Sequence, residues 1–121
     1  MKNLIYIAIC LFGFSSCEYI SEVKFKNAII EGNHFADSSQ YGSAINKYTL
    51  AQNYNDSSFV SYYNSGNVLI EENYLDSALT NYNQATSYSS DSLQLANIYY
   101  QIGHINLTNH ADKEIQINAH L

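Results

Sequence analysis

The chain has 121 residues, of which 46% are hydrophobic and 13% charged, with a formal net charge of −6. Five lysines, no arginine and eleven acidic residues exclude the basic footprint that nucleic-acid binding needs, and exclude electrostatic attraction to anionic lipid. That length holds one modest domain.

The chain opens with Met1, Lys2 and Asn3, a short segment with one lysine, and continues as an apolar run from Leu4 to Phe14. The run is too short to span a bilayer, which takes about 20 apolar residues, but it suits the apolar part of a secretory signal. Phe14-Ser15-Ser16-Cys17 follows and resembles a bacterial lipobox, with Phe14 where that pattern usually has leucine. The resemblance implies a lipoprotein signal peptide at 1–16, cleavage before Cys17 and acylation of its thiol. An ordinary secretory signal cut nearby is the other reading. Cys10 would leave with the signal, so Cys17 would be the single cysteine of the mature chain and no internal disulfide could form. Several acyl chains on one cysteine anchor stably where a single chain is marginal.

Residues 17–24 read as a tether. Beyond them the spacing predicts helices at about 24–37, 41–54, 59–72, 75–88 and 93–107, with an incomplete sixth from about 111. Polar runs punctuate them: Asp37–Gln40 and Glu71–Tyr74 between the helices of a pair, Asn55–Ser58 and Ser89–Ser92 between pairs. Ser58 and Ser92 are placed to cap the helices that follow. Gly32, Gly66 and Gly103 fall inside predicted helices, where glycine costs about 1 kcal/mol against alanine. Their equivalent placement points to a packing requirement.

The pattern repeats at an offset of 34 residues. Phe25, Gly32, Asn33, Ser43, Ala44, Tyr48, Ala51, Tyr54 and Ser58 recur as Phe59, Gly66, Asn67, Ser77, Ala78, Tyr82, Ala85, Tyr88 and Ser92. Small residues and aromatics at helical spacing mark a helical hairpin used more than once. Tyr99, Tyr100 and Gly103 open a third unit at an offset of 37 from Tyr62, Tyr63 and Gly66. The three extra residues are expected in a lengthened fourth helix or the loop after it. The units are 25–58, 59–92 and a partial one at 93–121.

This pattern resembles the tetratricopeptide repeat (TPR). Repeat two supplies Tyr62, Gly66, Leu69, Ala78, Tyr82 and Ala85, and repeat one Gly32, Phe35, Tyr41, Ala44, Tyr48 and Ala51. The third unit departs from it, with Ile115 where alanine is expected, and the usual proline is replaced by Asp56 and Ser90. The fold expected is an all-α solenoid of antiparallel helix pairs, about two and a half to three repeats long. Gly32 with Ala44, and Gly66 with Ala78, would let paired helices approach closely, with Tyr48, Tyr82, Tyr62 and Tyr99 filling the space beside them. Repeat arrays want about three units and solvated ends. An unfinished third unit therefore implies a longer array, a partner or a second copy, and self-association at the C-terminal end is one expected route.

No metal-ligand spacing links His34, His104, His110 and His120, and no nucleophile elbow, phosphate loop or His-Glu-x-x-His run occurs. Glu71 and Glu72 read as a solvated helix end. The chain is accordingly read as no enzyme, with no cofactor and no metal. The resemblance implies a concave groove lined by the first helix of each unit. It maps to Lys26, Ile29, Ile30, Asn33, Ala36 and Asp37 in unit one, to Val60, Tyr63, Asn64, Asn67, Ile70 and Glu71 in unit two, and to Asn97, Tyr100, Gln101, His104, Leu107 and Thr108 in unit three. Some family members clamp a peptide carboxylate there with cations. Ile29, Asn97 and Gln101 stand in those places, so no such clamp is expected.

The binding residues expected are Asn33, Tyr63, Asn64, Asn67, Tyr100, Gln101 and His104, forming a neutral groove of amides and aromatics. The function expected is a protein-binding scaffold or assembly factor, lipid-anchored to a membrane of the bacterial cell envelope through Cys17. The alternatives are the repeat-bearing sensor region of a longer signalling protein, or a gene fragment without function of its own.

Overall fold

The structure, a computed structural model, describes the backbone of residues 2–119 and the side chains of residues 16–119. His120 lies outside the described residues. The described residues form an all-α helical-repeat solenoid of five helices: α1 (Lys2–Asp37), α2 (Tyr41–Tyr54), α3 (Phe59–Glu71), α4 (Leu75–Tyr88) and α5 (Ser92–Ala119). Among the described residues there is no strand, and no helix is long and apolar enough to cross a membrane.

The helices pack as adjacent pairs, α1 on α2 and α3 on α4, with α2 joining the two pairs and α5 resting more lightly on α4. Both tight hairpins turn in the same way. Ser39 and Asn73, equivalent residues of the two units, adopt positive φ of 56° and 61°. The amides just after them, at Gln40 and Tyr74, donate to the carbonyls of Phe35 and Leu69 at 2.8 Å. This i→i−5 closure satisfies carbonyls that the end of a helix would otherwise orphan.

The core forms where small residues admit aromatics. Ala44, Tyr48 and Val68 make one buried cluster, and Leu69, Ala78, Tyr82, Ala85, Ile98 and Ile105 another. A Cβ on Gly32 would lie 2.5 Å from the Tyr48 ring, and one on Gly66 would lie 2.7 Å from the Tyr82 ring. Those two glycines are required by close approach, as the spacing suggested. Gly103 is not: among the described residues, and apart from the backbone of its own helix, nothing lies within 4 Å of the equivalent Cβ position.

The third unit is where the structure departs most from expectation. No turn separates a fifth helix from a sixth; α5 runs unbroken through Thr108, Asn109 and His110. The glycine of this unit therefore never receives a returning helix, and Tyr99, expected in the core, is 59% exposed. Nor do the three extra residues lengthen α4, which has 14 residues like α2. They lie at the start of α5: Gly66 is the eighth residue of α3 and Gly103 the twelfth of α5. Asp91 caps that start, its Oδ1 accepting from the amides of Leu93 and Gln94 at 2.7 and 3.2 Å, and Ser92 is already inside the helix. Ser58 makes no side-chain cap; its carbonyl instead accepts from the buried Ser61 hydroxyl at 3.0 Å.

Residues 18–24 are helical too, continuous with α1. They rest on the end of α2: the Ser21 hydroxyl donates to the Tyr54 carbonyl at 3.1 Å, and the Lys24 ammonium sits 5.7 Å from the Tyr54 ring centroid. The expected tether is thus packed secondary structure from Ser21 onward, with Cys17 exposed just ahead of it.

Candidate functional site

The first helices of units one and two, with the start of α2, enclose an open cleft of about 550 Å³ lined by Asn33, Ala36, Asp37, Tyr41, Tyr48, Asn64, Asn67, Val68 and Glu71. Tyr48 builds its floor. The ring is held in the notch over Gly32, and its hydroxyl donates to Asn33 Oδ1 at 2.8 Å. Asn64 Nδ2 donates to the same oxygen at 3.0 Å, so one amide ties unit one to unit two across the cleft. The second unit repeats the device: Tyr82 donates to Asn67 Oδ1 at 2.6 Å. Because hydroxyl donors occupy both amide oxygens, the orientation of Asn33 and Asn67 is set, and their Nδ2 donors have no partner among the described residues.

Behind the cleft a further amide locks the repeat interface. Gln52 on α2 donates from Nε2 to the Ser65 hydroxyl and to Asn81 Oδ1, each at 3.4 Å. Three helices meet at this side chain, and the buried serines Ser61 and Ser65 are the small residues that admit it.

Two carboxylates stand in the cleft lining, Asp37 at the end of α1 and Glu71 at the end of α3. Among the described residues neither forms an ion pair; the pairs are Lys26 with Glu22 and Lys47 with Glu31. The cleft is therefore acidic, where the sequence pointed to a neutral one, and Glu71 is part of the lining and not merely a solvated helix end. Asp37 is felt locally: burial first, and then its charge, push the Tyr48 phenol above the usual tyrosine value. Burial first and then Tyr63 push Tyr82 up further still, and burial, Tyr88 and Asp56 together raise Tyr62.

These raised phenols give the fold a directional response to alkali. In the unfolded chain a tyrosine ionises near pH 10, whereas folded Tyr82 and Tyr48 hold their protons above it, so unfolding releases protons there. Their contribution to stability is complete below about pH 10 and falls as the pH rises beyond it, by up to about 1.4 kcal/mol per pH unit for each buried phenol. An absorbance titration of tyrosinate alongside far-UV circular dichroism is expected to show the last fraction of tyrosine ionising together with loss of helix.

Of the residues expected to bind, Asn33, Asn64 and Asn67 are brought together in the cleft. Tyr63 is not presented to it: its ring stacks on Phe59 at 5.3 Å and tilts against Tyr82 at 5.9 Å. That packing had a visible signal, since aromatics four residues apart on a helix meet on one face. Tyr100, Gln101 and His104 sit on α5, outside this cleft, with Tyr100 72% exposed. Asp37 and Glu71, placed in the groove but left out of the binding set, complete the lining together with Tyr41 and Val68, which were not placed there. Asp37 and Glu71 share one position in successive units, and this periodicity was the available clue. Among the described residues no three of histidine, cysteine, aspartate and glutamate converge as a metal site would require.

No protein-family model matches the chain, and no curated protein matches it either.

Proposed function

We propose that this is a tetratricopeptide-type scaffold that holds an extended segment of a partner protein in the cleft between its first two units. The observation that carries this reading is the cleft's lining. Two oriented amides offer free Nδ2 donors to backbone carbonyls, and two unpaired carboxylates, Asp37 and Glu71, stand ready for a cationic side chain. Tyr41 and Val68 supply apolar wall between them. Such a lining suits a segment carrying lysine or arginine and rejects an acidic one, since like charges brought together lose affinity. We further propose that the lipobox-like segment delivers the chain to a membrane of the bacterial envelope, with acylated Cys17 as the anchor. Ser21 lies four positions after Cys17, about 6 Å of helix, so the repeats would lie close to the bilayer surface.

The test is a panel of extended synthetic peptides that differ only in one central residue, lysine, arginine, alanine or glutamate, titrated against the purified chain. Tight binding is expected for the cationic peptides, weakening with added salt. The double variant Asp37→Asn/Glu71→Gln is expected to lose about tenfold in affinity, as two exposed charge pairs together contribute roughly 1–2 kcal/mol. Helicity should not change. Equal binding of lysine and glutamate peptides would overturn the reading, as would a double variant that binds like the native chain. In cells, Cys17→Ala is expected to abolish fatty-acid labelling and membrane retention without altering peptide affinity.

A further inference from the structure

The face of α5 turned away from α4 is uncharged and apolar over most of its length. From Ser92 to Ala111 the helix contains no aspartate, glutamate, lysine or arginine. One side of this stretch, carrying Ile98 and Ile105, is fully buried against the second unit. The opposite side places Leu93, Ala96, Tyr100, Gly103, Leu107 and Ala111 at successive intervals of three or four residues, which is one helical face. All six are exposed, and Leu93, Tyr100 and Leu107 are each more than 70% exposed. An uncharged helix with an apolar stripe about 27 Å long is not how a solvated surface is built.

The order of sizes along the stripe says what covers it. Around Gly103 it reads small, large, small, large, small: Ala96, Tyr100, Gly103, Leu107, Ala111. Tyr100 lies three residues before the glycine and Leu107 four after it; Ala96 lies seven before and Ala111 eight after. Run in the opposite direction, the five residues from Ala96 to Ala111 nearly superimpose on themselves, with Leu93 left beyond the match opposite Lys113, and a self-complementary patch is what a two-fold contact between identical chains demands. We propose that α5 pairs antiparallel with α5 of a second copy, with the two-fold axis at Gly103. Tyr100 of each copy then packs on Leu107 of the other, and Ala96 on Ala111. Gly103 at the crossing lets the helices approach closely, the role that Gly32 and Gly66 play inside the chain. The seam carries no charge, so two acidic chains meet here without direct repulsion, and the charged residues Asp91, Asp112, Lys113 and Glu114 fall at its ends. This interface is separate from the cleft between the first two units and does not depend on the peptide-binding reading.

Sedimentation equilibrium of the full chain in mild detergent is expected to show a monomer–dimer equilibrium. Leu107→Glu is expected to weaken the dimer at least tenfold with helicity unchanged, whereas Ile117→Glu, exposed on α5 but off the seam, should leave it intact. In a background with Cys10 and Cys17 replaced by serine, Gly103→Cys should form a chain-to-chain disulfide on mild oxidation and Ile117→Cys should not. A monomer at all concentrations would overturn the proposal. So would a dimer indifferent to Leu107→Glu, equal crosslinking through Ile117→Cys, or crosslinking of Gly103→Cys to a different protein in envelope membranes.

Discussion

Replacing Tyr82 with alanine is expected to remove a large part of the chain's stability, about 3–5 kcal/mol from a total that for domains of this kind is about 5–15 kcal/mol. Tyr82 is fully buried, and it stands at the centre of the larger core cluster with Leu69, Ala78, Ala85, Ile98 and Ile105. It is also the one aromatic ring among the buried members of that cluster. Gly66 has no side chain to fill the space that the truncation would leave, and Ala78 and Ala85 have only methyl groups, so the cavity cannot collapse and the upper part of the range applies. Its hydroxyl bond to Asn67 at 2.6 Å is lost as well. Tyr82→Phe isolates that bond and should cost only about 0.5–1.5 kcal/mol. Urea denaturation followed by circular dichroism measures both, with Tyr88→Ala as the reference, because Tyr88 is 39% exposed. If Tyr82→Ala lost no more than Tyr88→Ala, the core would not be organised around this ring.

The parts of the fold legible in the sequence are those where the 34-residue repeat is complete. Gly66 and Tyr82, or Gly32 and Tyr48, are separated by 16 residues, and each pair both predicts a hairpin and supplies the contact that closes it. The same spacing from Gly103 reaches Ala119, so the third unit has the notch without the ring that fills it. Its turn is equally short of support. Ser39 and Asn73 reverse the chain in units one and two, and in unit two the closure brings Leu69 and Tyr74 together. The corresponding pair in unit three is Asn106 and Ala111, which buries little. With nothing gained by turning back, the backbone keeps its helical hydrogen bonds and α5 continues. The site was legible in its amides, because Asn33 and Asn67 recur with the repeat. Its acidity was only half legible: Asp37 and Glu71 recur 34 residues apart at groove positions, but whether Glu71 faces a cleft or open water depends on how two units curve against each other, which tertiary packing fixes.

One substitution made at equivalent positions is expected to act with opposite signs. Gly66→Ala places a methyl 2.7 Å from Cε1 and 2.9 Å from Cζ of Tyr82, a ring that cannot retreat because the core surrounds it and Asn67 holds its hydroxyl. Overpacking of this kind costs about 1–3 kcal/mol or more, of which the better helix propensity of alanine returns at most about 1 kcal/mol; the net is destabilising. Gly32→Ala should behave alike, with Tyr48 as the obstructing ring. Gly103→Ala meets no described atom beyond its own helix backbone within 4 Å and is expected to stabilise the isolated chain by up to about 1 kcal/mol. Thermal unfolding at low concentration, where the chain is monomeric, reads these signs directly. At high concentration the α5 pairing adds a second term: the methyl that helps the monomer keeps two crossing helices apart, so Gly103→Ala should raise the melting temperature of the dilute chain while weakening its dimer. Stabilisation that is independent of concentration would keep the reading of Gly103 as an open helical position and remove it from the crossing point; destabilisation in the dilute chain would mean that something covers it already.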